Sequence, residues 1–385
     1  MQNFTFHNPT KILFGEGRIA DLATEITAGQ RLLVTYGRGS VLKNGILDEV
    51  HAALRHAVVT EFGGIEPNPS VETLMGAVKV AREARTEFIL AVGGGSVIDG
   101  TKFIAAAVPY TGEDPWDLVT GNAPVKKALP FGTVLTLPAT GSEMNSGAVI
   151  SRKSIGAKLA FRSPLLFPRF SVLDPTKTYT LPPRQIANGV VDAFVHVTEQ
   201  YLTYPADAPM QDRFSEGMLR TLIEVGPVTL KDPTQYQARA AFVWSATLAL
   251  NGLIGAGVPQ DWATHLIGHE LTAGFGLDHA QSLAVVLPAL LSERLESKRA
   301  KLLQYAERVW DLREGDAETR ARQAIERTRD FFESLGVKTR LKDYGIRAED
   351  ISAIVAALEA HGMKALGETG DITLDVSRRV LERAL

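Results

Sequence analysis

F-I-L-A-V-G-G-G-S-V-I-D-G-T-K, residues Phe88 to Lys102, decides the fold. A short apolar run, Phe88 to Val92, has the length and composition of a buried strand, and Gly93, Gly94 and Gly95 follow it directly. What comes next has helical spacing. Three glycines between a strand and a helix let backbone amides approach an anion, and the helix N-terminus favours negative charge. The run is not the G-x-G-x-x-G fingerprint, yet a pyrophosphate is its natural guest. The alternative is a tight turn with Ser96 as N-cap and Asp99 completing a capping box. That explains Ser96 and Asp99 but not three consecutive glycines.

Upstream of this stretch, strands and amphipathic helices alternate. Thr10 to Phe14, Arg31 to Tyr36 and Val58 to Phe62 read as strands. Gly17 to Ile26, Lys43 to Ala57 and Val71 to Arg85 read as helices, the last with Ser70 as N-cap. Downstream, Phe131 to Leu137 is a strand entering T-L-P-A-T-G-S-E, while Ala148 to Asp174 mixes strand and turn signals that resist placement. The rhythm argues for a parallel sheet with helices on both faces, whose ligands bind at the carboxyl ends of its strands. From Pro182 onward the pattern is helical, from Ile186 to Tyr201 through to Leu374 to Ala384. The expected organisation is an α/β nucleotide-binding domain over residues 1–181 and an all-helical domain over 182–385.

The helical half carries the chemistry. In V-V-D-A-F-V-H-V-T-E, Val190 to Glu199, Asp192 and His196 stand four apart and leave one helix face together. W-A-T-H-L-I-G-H-E-L repeats the spacing with His265 and His269, and His279 follows in G-L-D-H-A-Q. A carboxylate and several imidazoles in apolar helices cost too much desolvation without compensation, which a divalent cation would provide. His269 reads equally as a satisfied core histidine. With no cysteine in the chain, any metal must take N and O ligands.

At 385 residues, with 45% hydrophobic and 22% charged residues and a net charge of -3, the chain has the composition of an ordinary soluble protein. It is not basic enough to point to nucleic acid. No long uncharged apolar run and no signal-like N-terminus are present, so a cytoplasmic location and no membrane partner are expected.

Taken together, G-G-G-S-V-I-D, T-L-P-A-T-G-S-E, the Asp192/His196 pair and the three later histidines resemble the iron-containing (group III) alcohol dehydrogenase family, end to end. Y-G-R-G-S, F-G-G-I-E-P-N-P, N-G-V-V-D-A-F-V-H and D-I-T-L-D-V-S-R-R look closest to its branch of NADPH-dependent aldehyde reductases and butanol dehydrogenases. The resemblance implies a dehydroquinate-synthase-like fold and one divalent metal, Fe2+ or Zn2+, on Asp192, His196, His265 and His279. It implies that His269 stands beside that metal as a proton-relay residue. It implies NADP(H) contacts from Gly94, Gly95, Ser96, Asp99, Thr136, Thr140, Ser142 and Lys158, to which the glycine turn adds Gly93. Gly37, Gly39, Ser40 and Lys43 are expected near the adenosine ribose, where hydroxyl and positive charge in place of a carboxylate favour NADP over NAD; taken alone, the loop reads equally as a surface turn with a solvated lysine. A homodimer is expected, meeting near the edge of the first-half sheet. One departure is that many family members continue H-G-x-x-N-A after the last ligand histidine, whereas this chain reads His279-Ala280-Gln281-Ser282-Leu283.

Three other readings fit less of the sequence. A polyol dehydrogenase or lyase on the same scaffold, acting on a phosphate or carboxylate substrate, would need cations near the metal. The windows Asp192 to Glu199 and Asp261 to Asp278 hold no Lys or Arg. A nucleotide-binding sensor without catalysis leaves the ligand set without purpose, and a metallohydrolase leaves the glycine turns unexplained.

Overall fold

The computed structural model describes all residues, Met1–Leu385. Its strands are β1 (Lys11–Phe14), β2 (Arg31–Tyr36), β3 (Val58–Phe62), β4 (Phe88–Gly94), β5 (Phe131–Leu137), β6 (Gly147–Arg152), β7 (Ala157–Arg162), β8 (Phe170–Leu173), β9 (Ala365–Leu366) and β10 (Ile372–Thr373). The first six helices are α1 (Leu22–Glu25), α2 (Ser40–Lys43), α3 (Ile46–Ala53), α4 (Val71–Glu83), α5 (Gly95–Ala107) and α6 (Asp117–Thr120). Then come α7 (Pro183–Tyr201), α8 (Pro209–Lys231), α9 (Tyr236–Ala249), α10 (Ala263–Phe275) and α11 (His279–Glu293). The last four are α12 (Leu295–Trp310), α13 (Ala317–Ser334), α14 (Ile351–Ala360) and α15 (Leu374–Arg383).

Two compact units result. One comprises His7–Leu181 with Pro233–Thr247, the other Met1–Phe6, Pro182–Asp232 and Leu248–Leu385. In the first, six strands form a parallel sheet in the order β1-β8-β5-β4-β2-β3. Alternation along the strands sends Leu33, Ile89 and Ala91 into the core under α4 and α5. Leu32, Val34, Leu90 and Val92 enter the opposite core, with α1 and α3. Most of α9 joins this unit: Val243 enters the core and Thr247 Oγ1 donates to Glu143 Oε1 at 2.6 Å.

Several local expectations change. Residues 17–26 form a 3-10 turn and the short α1 rather than one helix. The expected 43–57 helix is shorter, α3 beginning at Ile46 after Gly45 at φ 76° and ending at Ala53, while Lys43 ends the separate α2. Ala148 to Asp174 resolves into the antiparallel pair β6–β7 and then β8, which returns to the sheet between β1 and β5. Ser70 caps α4 as expected, accepting from Thr73 N. The second unit is helical apart from the small antiparallel ribbon β9–β10. Its terminal core gathers α10, α11, α14 and α15 around Ile267, Leu271, Val286, Leu358 and Val380. Met1–Phe6 packs here: Gln2 N donates to Gly257 O at 2.8 Å, and Gly257 is the residue whose added Cβ would strike Phe4 at 2.7 Å. No helix is long and apolar enough to cross a membrane.

Candidate metal centre and nucleotide-binding loops

α7 supplies Asp192 and His196, α10 supplies His265 and His269, and His279 is the first residue of α11. Asp192 Oδ1 is their common focus, 3.7 Å from His196 Nδ1, 3.9 Å from His265 Nε2 and 3.6 Å from His279 Nε2. One ligand atom each from Asp192, His265 and His279 fall within 4.8 Å of one another. His196 is outside that three-way convergence but stacks on His265 with ring centroids 4.6 Å apart. His269 flanks the cluster, 5.6 Å from the His279 ring and 6.4 Å from that of His265. Trp262, half-buried at the start of α10, makes a T-shaped ring contact with His265 and donates to Gln260 Oε1 through Nε1.

These donors fit a divalent ion with N and O preference. His196 Nδ1 is buried and has no hydrogen bond, since 3.7 Å to a carboxylate oxygen is too long for one. Burial, and then the neighbouring His265, hold the His196 pKa well below its usual value, which keeps the ring neutral as a ligand must be.

Sequence reasoning missed the groups that hold the ligands in place. Glu199, seven residues from Asp192, hydrogen-bonds His265 Nδ1 through Oε2, leaving Nε2 to face Asp192. Its Oε1 accepts the first amides of α10, from Thr264 N at 2.8 Å and His265 N at 3.3 Å. Burial raises the Glu199 pKa against the lowering pull of His265. Asp261, just before the same helix, accepts from Ala263 N at 2.8 Å. Lys298, only 3% exposed, binds Asp261 at 2.9 Å, Glu368 at 2.7 Å and the Leu202 carbonyl at the end of α7 at 2.7 Å. One ammonium therefore joins the ends of the two metal-bearing helices. Three buried carboxylates, Asp192, Glu199 and Asp261, share this region; Lys298 pairs with Asp261, and a cation would offset the charge at Asp192. The departure at His279-Ala280-Gln281-Ser282 also has a local role. Gln281 Oε1 accepts from Asp278 N, and Ser282 Oγ donates to His279 O at 2.7 Å, fixing the first turn of α11.

In the α/β unit, Gly93, Gly94 and Gly95 carry β4 straight into α5. A Cβ at these positions would lie 2.5 Å from Val97, 2.9 Å from Leu137 and 2.4 Å from Thr140 Oγ1. The capping-box alternative does not hold: the N-cap is Gly94, with no side-chain cap. Asp99 instead accepts from Ser142 Oγ at 2.6 Å and Val149 N at 2.9 Å. The uncapped amides of α5 are thus available to an anion. Thr136 and Thr140 stand at the end of β5, and Lys158 on β7 is close enough to lower the Asp99 pKa, which burial raises overall.

Lys102 was also missed. Fully buried on α5, it donates to Ser142 Oγ at 2.8 Å, Asn145 Oδ1 at 2.9 Å and Gly147 O at 2.7 Å. Burial lowers its pKa to about 8. Ser142 and Asp99, expected as cofactor contacts, are thus members of a buried network that pins the loop after β5. Gly37, Gly39, Ser40 and Lys43 lie at the end of β2, one strand from the glycine turn.

Comparison with known proteins agrees with this architecture. The family model for iron-containing alcohol dehydrogenase matches residues 9–175, and that for the C-terminal part of the Fe-containing alcohol dehydrogenase family matches 186–368. The chain is 63% identical to the NADPH-dependent aldehyde reductase YqhD of Escherichia coli K12, covering 100% of both chains. It is 44% identical to a probable NADH-dependent butanol dehydrogenase of Bacillus subtilis, covering 94% of this chain and 95% of the relative. The crystal structure of E. coli YqhD superposes with a TM-score of 0.98 at 62% identity, over 100% of this chain and 99% of that one. The NADH-dependent butanol dehydrogenase A of Thermotoga maritima gives 0.95 at 36% identity, over 100% and 99%. The chain belongs to the iron-containing alcohol dehydrogenase family.

Proposed function

We propose that the protein is an NADP(H)-dependent alcohol dehydrogenase working as an aldehyde reductase on short- to medium-chain aldehydes and primary alcohols. The observation that carries this reading is the convergence of Asp192, His265 and His279 in a chain with an uncapped glycine turn after β4. Asp192, His196, His265 and His279 are the ligands we assign to one divalent metal, Fe2+ or Zn2+. When bound, the metal supplies Lewis-acid polarisation of a carbonyl oxygen and the reduced nicotinamide supplies hydride.

The chain's own groups do the rest. Glu199 orients His265, and Lys298 with Asp261 fixes where α10 begins. His269, half-buried beside His279, is the imidazole assigned to carry a proton between the reacting oxygen and water. Gly93–Gly95 and Ser96 are assigned to the pyrophosphate, with Asp99, Thr136, Thr140, Ser142 and Lys158 shaping that end of the sheet. Gly37, Gly39, Ser40 and Lys43 are assigned to the adenosine ribose. Nucleotide binding is assigned to the α/β unit, His7–Leu181 with Pro233–Thr247, and metal binding to the helical unit. The partner is a second copy meeting along the edge strand β1, and the setting is cytoplasmic.

Oxidation of NADPH and NADH with butanal tests the reading, on protein stripped with chelator and reloaded with Fe2+ or Zn2+. Metal-dependent turnover favouring NADPH is expected. No turnover with either cofactor at one bound metal per chain would overturn it in favour of the polyol or lyase readings.

A further inference from the structure

The loop ending β2 contains a cation that the assignments above leave unused. Tyr36-Gly37-Arg38-Gly39-Ser40-Val41-Leu42-Lys43-Asn44-Gly45 holds two cations, Arg38 and Lys43, and no carboxylate. Both are exposed, and neither side chain enters a hydrogen bond or an ion pair. Two other exposed arginines of this unit are engaged: Arg31 on β2 pairs with Glu87, and Arg82 on α4 donates to the Val108 carbonyl. Arg38 has no such structural employment.

Its place is informative. Tyr36 is paired with Val92, so Arg38, two residues on, stands one strand away from Gly94. Neighbouring strands run about 4.8 Å apart. Gly37 adjoins the same helix as the glycine turn: a Cβ there would lie 3.7 Å from Val97 of α5. A dinucleotide with its pyrophosphate on the α5 N-terminus extends its adenosine ribose toward a neighbouring strand end, where a carboxylate selects the 2′-hydroxyl and an arginine accepts a 2′-phosphate. Gly39, at φ 107°, and Gly37 keep the backbone on both sides of Arg38 free of Cβ bulk.

We infer that Arg38 is a specificity-determining residue whose guanidinium pairs with the 2′-phosphate of NADPH, with Lys43 as a second positive charge; this rests on the NADP(H) reading above. The planar fork suits a phosphate better than an ammonium does. Because the side chain is exposed, solvent screens the pair and the expected effect is about tenfold.

The test compares wild type with R38G, R38K and R38D, measuring kcat/KM for NADPH and NADH and inhibition by 2′,5′-ADP and by 5′-AMP. R38G is expected to lower the NADPH-over-NADH preference about tenfold through the KM for NADPH, and to weaken 2′,5′-ADP alike but not 5′-AMP. R38K is expected to keep part of the preference and R38D to lower it further. An unchanged preference in R38G and R38D, or equal weakening of 2′,5′-ADP and 5′-AMP, would overturn the role of Arg38 while leaving the NADPH reading intact. A wild type that prefers NADH would overturn the cofactor reading itself.

Discussion

The metal end of the helical unit and the glycine end of the sheet are built by opposite means. Around Asp192, the site consists of side chains that are present, aimed by further buried side chains such as Glu199 and Lys298. Around Gly93–Gly95, it consists of side chains that are absent, because any Cβ there would meet Val97, Leu137 or Thr140 within 3 Å. The first should therefore fail when chemistry changes at constant shape, and the second when volume is added at constant chemistry.

Asp192→Asn is the sharpest break of the first kind, because it keeps the side-chain outline and removes the charge. Metal binding should be lost and kcat/KM for butanal should fall about 10³-fold, while NADPH binding followed by nicotinamide fluorescence persists. Loss of both together would erase the contrast between the two sites. Next in size, Lys102→Met removes the ammonium that joins Ser142, Asn145 and Gly147. Stability measured by denaturant unfolding should drop by about 3 kcal/mol, with metal content intact. A loss under about 1 kcal/mol would mean that the loop after β5 does not depend on it.

Gly95→Ala adds only one carbon, aimed at Thr140 Oγ1. It should weaken NADPH about 10²-fold by equilibrium titration and leave one metal per chain. Near-native NADPH affinity would show that Thr140 simply turns aside. The smallest change is expected for Glu199→Gln, which preserves a partner for His265 but not its charge. Metal affinity by chelator competition should fall ten- to a hundredfold. An affinity within twofold of wild type would show that Glu199 serves α10 and not the metal.

This contrast also separates what was legible in the sequence from what was not. The Asp192/His196 and His265/His269 spacings could be read because helical periodicity is local, and so could β2, β3 and β5, whose bounds match their apolar runs. Glu199 was within reach, since it lies on the Asp192 face one turn past His196, but a glutamate near a helix end carries no local signal of its own. Lys298 was not legible: its partners Leu202, Asp261 and Glu368 are brought to it from distant segments by packing. Lys102 carried no signal, because nothing in the sequence shows that the loop after β5 folds over it. The β6–β7 pair was obscured by its turn, a 3-10 segment at Lys153–Ile155 closed by Gly156 in the left-handed region rather than a two-residue hairpin turn.

The most direct test of the metal assignment is the metal bound per chain, by elemental analysis after loading with Fe2+ or Zn2+ and desalting, in wild type and in Asp192→Asn. The account predicts one ion per chain in wild type and close to none in the variant. One ion per chain in both would contradict it, because Asp192 Oδ1 lies within 4 Å of a ring nitrogen of each of His196, His265 and His279.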